Sequence, residues 1–332
     1  MINKKLKFCA WNIHGYNSRQ IGNKLEDEEF LKCFGGTDFI GLTETHMHTE
    51  VLDKLNIPGY ELFHYVNETK NLKSHTAPRG IAVFVKETIF DYFKLEKTDN
   101  KDVIWVKMMK EKTGEDRDVY IGTCYLNPSN AANTDRKITK LMEEVISFQN
   151  KGDVMIVGDF NAKTGSLDDT IPPDKSDELF DLVLDEPPPK RNSQDDAVNP
   201  RGNDLLDMCR SLDLNIVNGR KTGDLFGKYT CFQWNGNSLV DYLITSSSVF
   251  KKISIFEVGE FLPWLSDHCP LYFTMEVCNP VPSDTQGKET RAKAPKQYIW
   301  SLRAMRIYFS NTIKTDEIQG KLERCLNLTV II

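Results

Sequence analysis

Twelve short β-type runs, five to nine residues each, constrain this chain more than any other feature: KFCAWNI, DFIGLTE, YELFHYV, GIAVFVK, VIWVKMM, DVYIGTCYL, DVMIVGDF, LNIVN, YTCFQW, SLVDYLIT, ISIFEVG and PLYFTMEV. Several alternate apolar and polar residues, as half-buried strands do. VMIVGDF is apolar almost throughout, as a strand at the centre of a sheet would be. Twelve strands imply two sheets. Helical patterns are fewer. In NTDRKITKLMEEVISFQ, Ile138, Leu141, Met142, Val145 and Ile146 recur at three-and-four spacing, with Thr134 as the expected N-cap. In RGNDLLDMCRSLDL, Leu205, Leu206, Cys209 and Leu212 share a face. Both helices are amphipathic and should cover the outside of a sheet, which predicts a mixed α/β sandwich with outer helices and free strand ends.

The 332 residues exceed the usual domain, but single sandwiches reach roughly 200–250 residues. The expected organisation is one large domain over residues 1–277 and a linker with a C-terminal tail over 278–332, where YIWSLRAMRIYF could form an amphipathic helix. Residues 163–200, which include DEPPPKRNSQDDAVNP, read as a long exposed loop, and PPPKRN as an exposed turn. No run approaches the ~18 apolar residues of a membrane span, and the polar N-terminus does not resemble a secretory signal. The chain reads as intracellular, with no membrane partner. Eight cysteines stand mostly inside apolar runs and form no CxxC pair, so buried free thiols are expected rather than disulfides or a zinc site.

Polar residues collect where the apolar runs end. DVMIVGDFNA closes on Asp159 and Asn161, FCAWNIHG on Asn12 and FIGLTETH on Glu44, while SLVDYLIT carries Asp241, PWLSDHCPLYF carries Asp267 and His268, and IGTCYLNPS carries Tyr125. Each has a plain explanation alone: Asn suits a strand-to-turn junction, a terminal Glu is commonly solvated, and Ser-Asp makes turns. Together they allow phosphodiester cleavage. A hard cation such as Mg2+ takes oxygen ligands, which Glu44 and Asn12 offer. Asp159 could deprotonate a water, and Asn161 and Tyr125 could donate to the charge developing on phosphate oxygens. His268 would serve as an imidazolium on the phosphate, with Asp241 as the carboxylate that raises its pKa. A formal net charge of −6 argues against strong sequence-independent nucleic-acid binding but leaves room for an enzyme whose cation bridges carboxylate and phosphate.

WNIHG, LTETH, CYLNPS, GDFNAKTG, SLVDYLIT and SDHCP, in that order, resemble the endonuclease/exonuclease/phosphatase superfamily, which includes pancreatic deoxyribonuclease and the apurinic endonucleases. The stretch from residue 202 to 245 is similar to the N-terminal endonuclease of non-LTR (LINE-type) retrotransposon polyproteins. The resemblance implies an α+β, four-layer α/β/β/α sandwich of the deoxyribonuclease I type. It implies Mg2+, with Mn2+ as a substitute, held at Glu44 and Asn12, with Asp267 assisting the metal or orienting its neighbour. It implies the catalytic set Asp159, Asn161, Tyr125, His268 and Asp241, with Thr230 and Ser238 as phosphate or structural hydrogen bonders. The implied activity is nicking of one DNA strand to leave a 3′ hydroxyl, by a monomer acting in the nucleus. Such a polyprotein would continue into a reverse transcriptase module that this chain lacks, so a fragment, a degenerate copy or a stand-alone derivative is expected. Three other readings compete: an apurinic-site repair endonuclease, a phosphatase acting on a small molecule or lipid, and a non-catalytic module that has kept the fold. Tyr125 speaks against the second, and the full residue set against the third.

Overall fold

The computed structural model describes residues 4–18, 20–47, 55–66, 79–128, 131–170 and 188–278. Two six-stranded sheets form its centre. One runs in the order β15 (Ile253–Val258), β16 (Leu271–Val277), β1 (Lys4–Asn12), β4 (Phe39–Thr43), β6 (Ile81–Lys86) and β5 (Tyr60–Val66). The other runs β11 (Leu214–Ile216), β14 (Asp241–Ser246), β10 (Asp153–Asp159), β9 (Val119–Tyr125), β8 (Val103–Met108) and β7 (Phe93–Glu96). Two small hairpins stand apart, β2 (Asn17–Ser18) with β3 (Gly22–Asn23) and β12 (Cys231–Gln233) with β13 (Gly236–Ser238).

Alternating residues point to opposite faces of a strand, so each sheet contributes to two cores. Phe8, Phe39, Val83, Val106, Ile121, Val157 and Phe273 meet between the sheets. Trp105, Tyr120, Val154 and Ile156 point outward and are covered by the helices Ala131–Gln149 and Pro200–Ser211, through Leu141, Val145, Leu205 and Cys209. The other sheet is covered by Phe30 and Phe34 from the short helix Glu28–Lys32 and the turn after it. These are the four layers of an α+β sandwich.

Eleven of the twelve expected runs are strands of the two sheets. YTCFQW is not one of them: it forms the small hairpin, because Trp234-Asn235 turns the chain and Gly236 starts a return strand paired Gln233↔Gly236. The twelfth sheet strand is instead FKLE, a four-residue edge too short to read beside its neighbours. Thr134 is not the N-cap, since the helix starts three residues earlier at Ala131, with two alanines, the residue most favourable to helix. The second helix is capped by the Asn199 side chain, which accepts from Gly202 N at 2.7 Å, with Pro200 in the first turn.

The described parts of the loop 163–200 are exposed at many positions, as expected, but buried anchors hold them to the body. Arg191, from PPPKRN, is 1 % exposed and its guanidinium donates to Gly165 O and Leu167 O at 2.8 and 2.9 Å. A polar residue in such a stretch is buried where its side chain finds protein acceptors, as Nη2 of Arg191 does. Residues 171–187 of that loop, and the tail with its expected helix, lie outside the described residues. Cys9, Cys124, Cys209, Cys231 and Cys269 are buried free thiols as expected, whereas Cys33 is half-buried and Cys278 exposed. No described helix is long and apolar enough to cross a membrane.

Register decides where the polar ends fall. β10 pairs parallel to β9 with Asp159 opposite Tyr125, and antiparallel to β14 with Asp159 opposite Asp241. Tyr125, Asp159 and Asp241 therefore stand in one row across three strands. In the facing sheet, β1 pairs parallel to β4 with Asn12 opposite Thr43, one residue before Glu44. Gly158 lets the row close up: at its φ of +138° a Cβ would lie 2.0 Å from Cys124 O, so no side chain fits there.

Candidate active site

Asp159 sits at the centre, 1 % exposed. Its Oδ1 accepts from Asn161 N at 2.8 Å, and its Oδ2 accepts from Asn12 Nδ2 at 2.9 Å and Asn161 Nδ2 at 3.1 Å. The first bond is an Asx-turn, made possible by Asn161 adopting a φ of +48°. His268 Nδ1 lies 2.8 Å from Asp241 Oδ2, and its Nε2 is 3.9 Å from Asp159 Oδ2. Trp11 Nε1 holds the His268 carbonyl at 2.8 Å, and Ser266 Oγ ties the Asn12 carbonyl at 2.7 Å to the His268 amide at 3.1 Å. The two sheets are thus stitched together at the point where the chemistry would occur.

Charge is arranged unevenly. Burial, with the neighbouring Asp241 charge, pushes the Asp159 carboxyl up to about 7, against the pull of His268. Burial alone would lower the His268 imidazole, but Asp241 outweighs it and holds the ring protonated well above the ordinary histidine range. The Tyr125 hydroxyl donates to Glu44 Oε1, and burial together with the Glu44 charge raises its pKa, so it keeps its proton.

The sequence brought eight of these groups forward, and the structure gathers all eight at one end of the sandwich. It separates the two lesser ones. Thr230 is fully buried, and its hydroxyl accepts from Val240 N and Asp241 N, both at 3.1 Å. It fixes the Asp241 backbone, which is the structural one of its two expected hydrogen-bonding roles. Ser238 does line the cleft, and its carbonyl accepts from Thr230 N at 2.9 Å.

Three titratable groups were missed. His14 Nδ1 lies 3.1 Å from Asp267 Oδ1 and 3.7 Å from Glu44 Oε2, and His46 Nε2 lies 3.8 Å from Glu44 Oε2. The hydrogen bond to Asp267 raises the His14 pKa despite burial, while burial lowers that of His46. Burial works to raise the Asp267 carboxyl, but the hydrogen bond to His14 and the imidazole charges of His268 and His14 hold it well below the usual carboxylate range. Lys24 is 2 % exposed, its ammonium donates to Ile13 O, and burial lowers its pKa to about 8. Both histidines stood in the motifs WNIHG and LTETH, two residues beyond Asn12 and Glu44. Lys24 carried no sequence signal.

Backbone strain marks the same place. Among the described residues six non-glycine positions have positive φ, and His14, Glu44, His46 and Asn161 are four of them. Such residues are uncommon and cluster where a site demands a conformation that the local sequence does not favour.

Beside these groups opens a cleft of about 360 Å³, lined among others by Asn161, Lys163, Asn199, Gln233 and His268. Trp234, in the β12–β13 turn between the cleft-lining Gln233 and Asn235, is 99 % exposed. The donor set fits a hard divalent cation. Glu44, Asp267 and Asn12 supply oxygens, and Glu44 Oε2 and Asp267 Oδ1 converge on one atom, His14 Nδ1, at 3.7 and 3.1 Å.

The sequence matches the Endonuclease/Exonuclease/phosphatase family over residues 9–268. The chain belongs to that family. It is therefore an enzyme of a metal-dependent phosphodiesterase and nuclease class. No curated protein matches it significantly by sequence. Solved structures share its fold. The AP endonuclease LMAP from Leishmania major is 13 % identical, with a TM-score of 0.56 over 82 % of this chain and 88 % of the other. The catalytic domain of APE2 from Xenopus laevis is 16 % identical, with a TM-score of 0.55 over 82 % and 93 %. A variant of the 3′ phosphatase NExo from Neisseria, bound to product DNA hairpin, is 15 % identical, with a TM-score of 0.52 over 81 % and 98 %.

Proposed function

We propose that this family member is a Mg2+-dependent DNA endonuclease of the retrotransposon type, which nicks one strand and leaves a 3′ hydroxyl in nuclear DNA. The observation that carries the reading is Asp159. It is a carboxylate buried between two amide donors and an imidazolium and poised near neutrality, which suits a general base working at physiological pH.

Glu44, Asp267 and Asn12 would hold Mg2+, for which Mn2+ can substitute. When bound, the cation supplies Lewis-acid stabilisation of charge on the phosphate. The chain's own groups do the rest. Asp159 takes a proton from a water aimed at phosphorus, the new P–O bond forms, the P–O3′ bond breaks, and O3′ leaves and takes up a proton from solvent to become the 3′ hydroxyl. Asn161, anchored through Asp159, points its remaining amide capacity into the cleft and donates to the phosphate oxygens. His268, kept cationic by Asp241, and the protonated Tyr125 hydroxyl grip the same oxygens from the other side.

DNA as substrate is supported by the cleft's surroundings. Lys163 offers a phosphate partner beside Asn161, and the free face of Trp234 offers a stacking platform, worth about 1–3 kcal/mol per base. Trp234→Ala should therefore slow plasmid nicking about five- to a hundredfold while leaving hydrolysis of bis(p-nitrophenyl) phosphate unchanged.

The deciding experiment incubates the protein with supercoiled plasmid in Mg2+ and in EDTA, alongside Asp159→Ala and His268→Ala. Metal-dependent open circles that both substitutions abolish are expected. Absence of nicking by folded protein, or faster release of phosphate from lipid or inositol phosphates, would overturn the reading. An abasic duplex cut far faster than intact plasmid would transfer it to the repair class.

A further inference from the structure

A second set of donors lies against the outer side of His268. Residues 230–232 run antiparallel to 267–269, with Phe232 N donating to Asp267 O and Cys269 N to Thr230 O, both at 2.7 Å. This makes Cys231 and His268 a directly opposed, non-hydrogen-bonded pair. In such pairs Cα atoms approach to about 4.5 Å and the side chains lie closest. Donor atoms of Cys231, Asp267 and His268 all fall within 4.8 Å of one another. Cys231 and His268 both line the cleft.

The chemistry of this set differs from that of the oxygen site at Glu44. Thiolate, imidazole and carboxylate together select borderline and soft divalent ions over hard ones. The imidazole is also prepared for ligation: Asp241 Oδ2 lies 2.8 Å from Nδ1, so Nε2, 3.9 Å from Asp159 Oδ2, is the nitrogen turned to a ligand, and a carboxylate behind a ligating histidine is the usual outer partner in zinc sites. We propose that Cys231, Asp267 and His268 form a thiophilic cation site that takes Zn2+, and that Zn2+ bound there competes with the phosphate for His268.

Tetrahedral Zn2+, with bonds of about 2.0–2.3 Å, sets its donors roughly 3.4–3.6 Å apart. Any pair of the three donors therefore closes by at most about 1.4 Å, shared between two side chains, within ordinary rotamer freedom. On binding, the Cys231 S–H and the His268 Nε2–H each release a proton to solvent, and no electron is transferred. The fourth position faces the cleft. Sequence spacing excluded zinc because no CxxC pair exists; here strand pairing brings together ligands far apart in the chain.

The inhibitory half rests on the endonuclease reading, but cation binding does not. The full chain, in millimolar Mg2+ at neutral pH, is titrated with Co2+ while the near-ultraviolet thiolate-to-cobalt charge-transfer band is followed. One equivalent should saturate the band, Zn2+ should displace Co2+, and C231S should lack the band, with near-ultraviolet circular dichroism confirming its fold. Asp267→Asn should keep the band and shift the visible d–d absorption. No band, or one that survives in C231S, overturns the site. In the plasmid assay, the Zn2+ concentration for half inhibition, relative to each protein's own Mg2+ rate, should rise roughly tenfold or more in C231S. Equal inhibition of both proteins overturns the competition. A cobalt band in a protein that never nicks DNA upholds the cation site and refutes the endonuclease reading alone.

Discussion

Two buried polar clusters in this molecule make opposite use of the same residue types. Behind the second sheet, Arg220 grips Asp169 through both guanidinium arms, Nη1 to Oδ2 at 2.6 Å and Nη2 to Oδ1 at 2.7 Å, with side chains 2 % and 0 % exposed. Further bonds surround the pair: Ile216 N donates to Asp169 at 2.6 Å, and Arg220 donates to Ile216 O at 2.8 Å and Pro189 O at 2.6 Å, so four of its five N–H groups are engaged. At the other cluster, Asp159 and Asp241 confront each other across one imidazole, and the surrounding backbone holds four residues at positive φ. Charge that is balanced and paired locks a loop in place. Charge left in surplus raises a pKa, accommodates a cation and makes a group reactive. The difference lies in the accounting of partners, not in depth of burial.

The comparison breaks most visibly if Asp159 is removed. Asp159→Asn should cut nicking roughly a thousandfold and leave the melting temperature equal or higher, because it relieves a like-charge pair. A clear fall in melting temperature would mean that Asp159 holds the fold as Asp169 does. The converse substitution, Asp169→Ala, strands Arg220 without its partner and should cost about 3–5 kcal/mol in chemical denaturation, with nicking per folded molecule unchanged.

The pH profile sharpens the same contrast. Asp159 must be ionised to act, so nicking should rise with pH through about 7 and decline only once His268, whose pKa is raised, loses its proton. The Asp159 carboxyl, raised by burial, favours the folded state only while protonated. Stability should therefore fall as pH rises through about 7, in the direction opposite to activity. Scans of melting temperature and rate on one pH series would show whether the two curves cross. The smallest effect is expected at Thr230, which sits between the classes. Thr230→Val removes the acceptor for two buried amides and should cost about 1–3 kcal/mol of stability, with KM for plasmid unmoved.

The reactive cluster was legible in the sequence and the locked one was not, for a physical reason. An acid or amide that ends an apolar run is conspicuous, since the run fixes its place at a sheet's rim, and Asp159, Asn12 and Glu44 could be read that way. Asp169, Arg191 and Arg220 stand in polar surroundings whose composition matches that of a solvated loop. Only three-dimensional pairing distinguishes a paired arginine from an exposed one. His14 and His46 were adjacent to recognised residues, yet their approach to Glu44 depends on backbone conformations that no periodicity encodes. YTCFQW and FKLE changed places for a similar reason: the turn at Trp234-Asn235 outweighs local strand preference, and an edge strand needs little apolar sequence.

The row Tyr125, Asp159, Asp241 gives the strand pairing one last consequence. Side chains alternate along β10, so a slip of one residue against β9 or β14 would carry Asp159 away from its donors into the helix-covered apolar core and exchange Val157 and Ile156 between the two cores. The molecule thus performs its own quality control. A copy folded out of register pays the full penalty of burying a carboxylate, and the copies that persist are those with their reactive groups aligned.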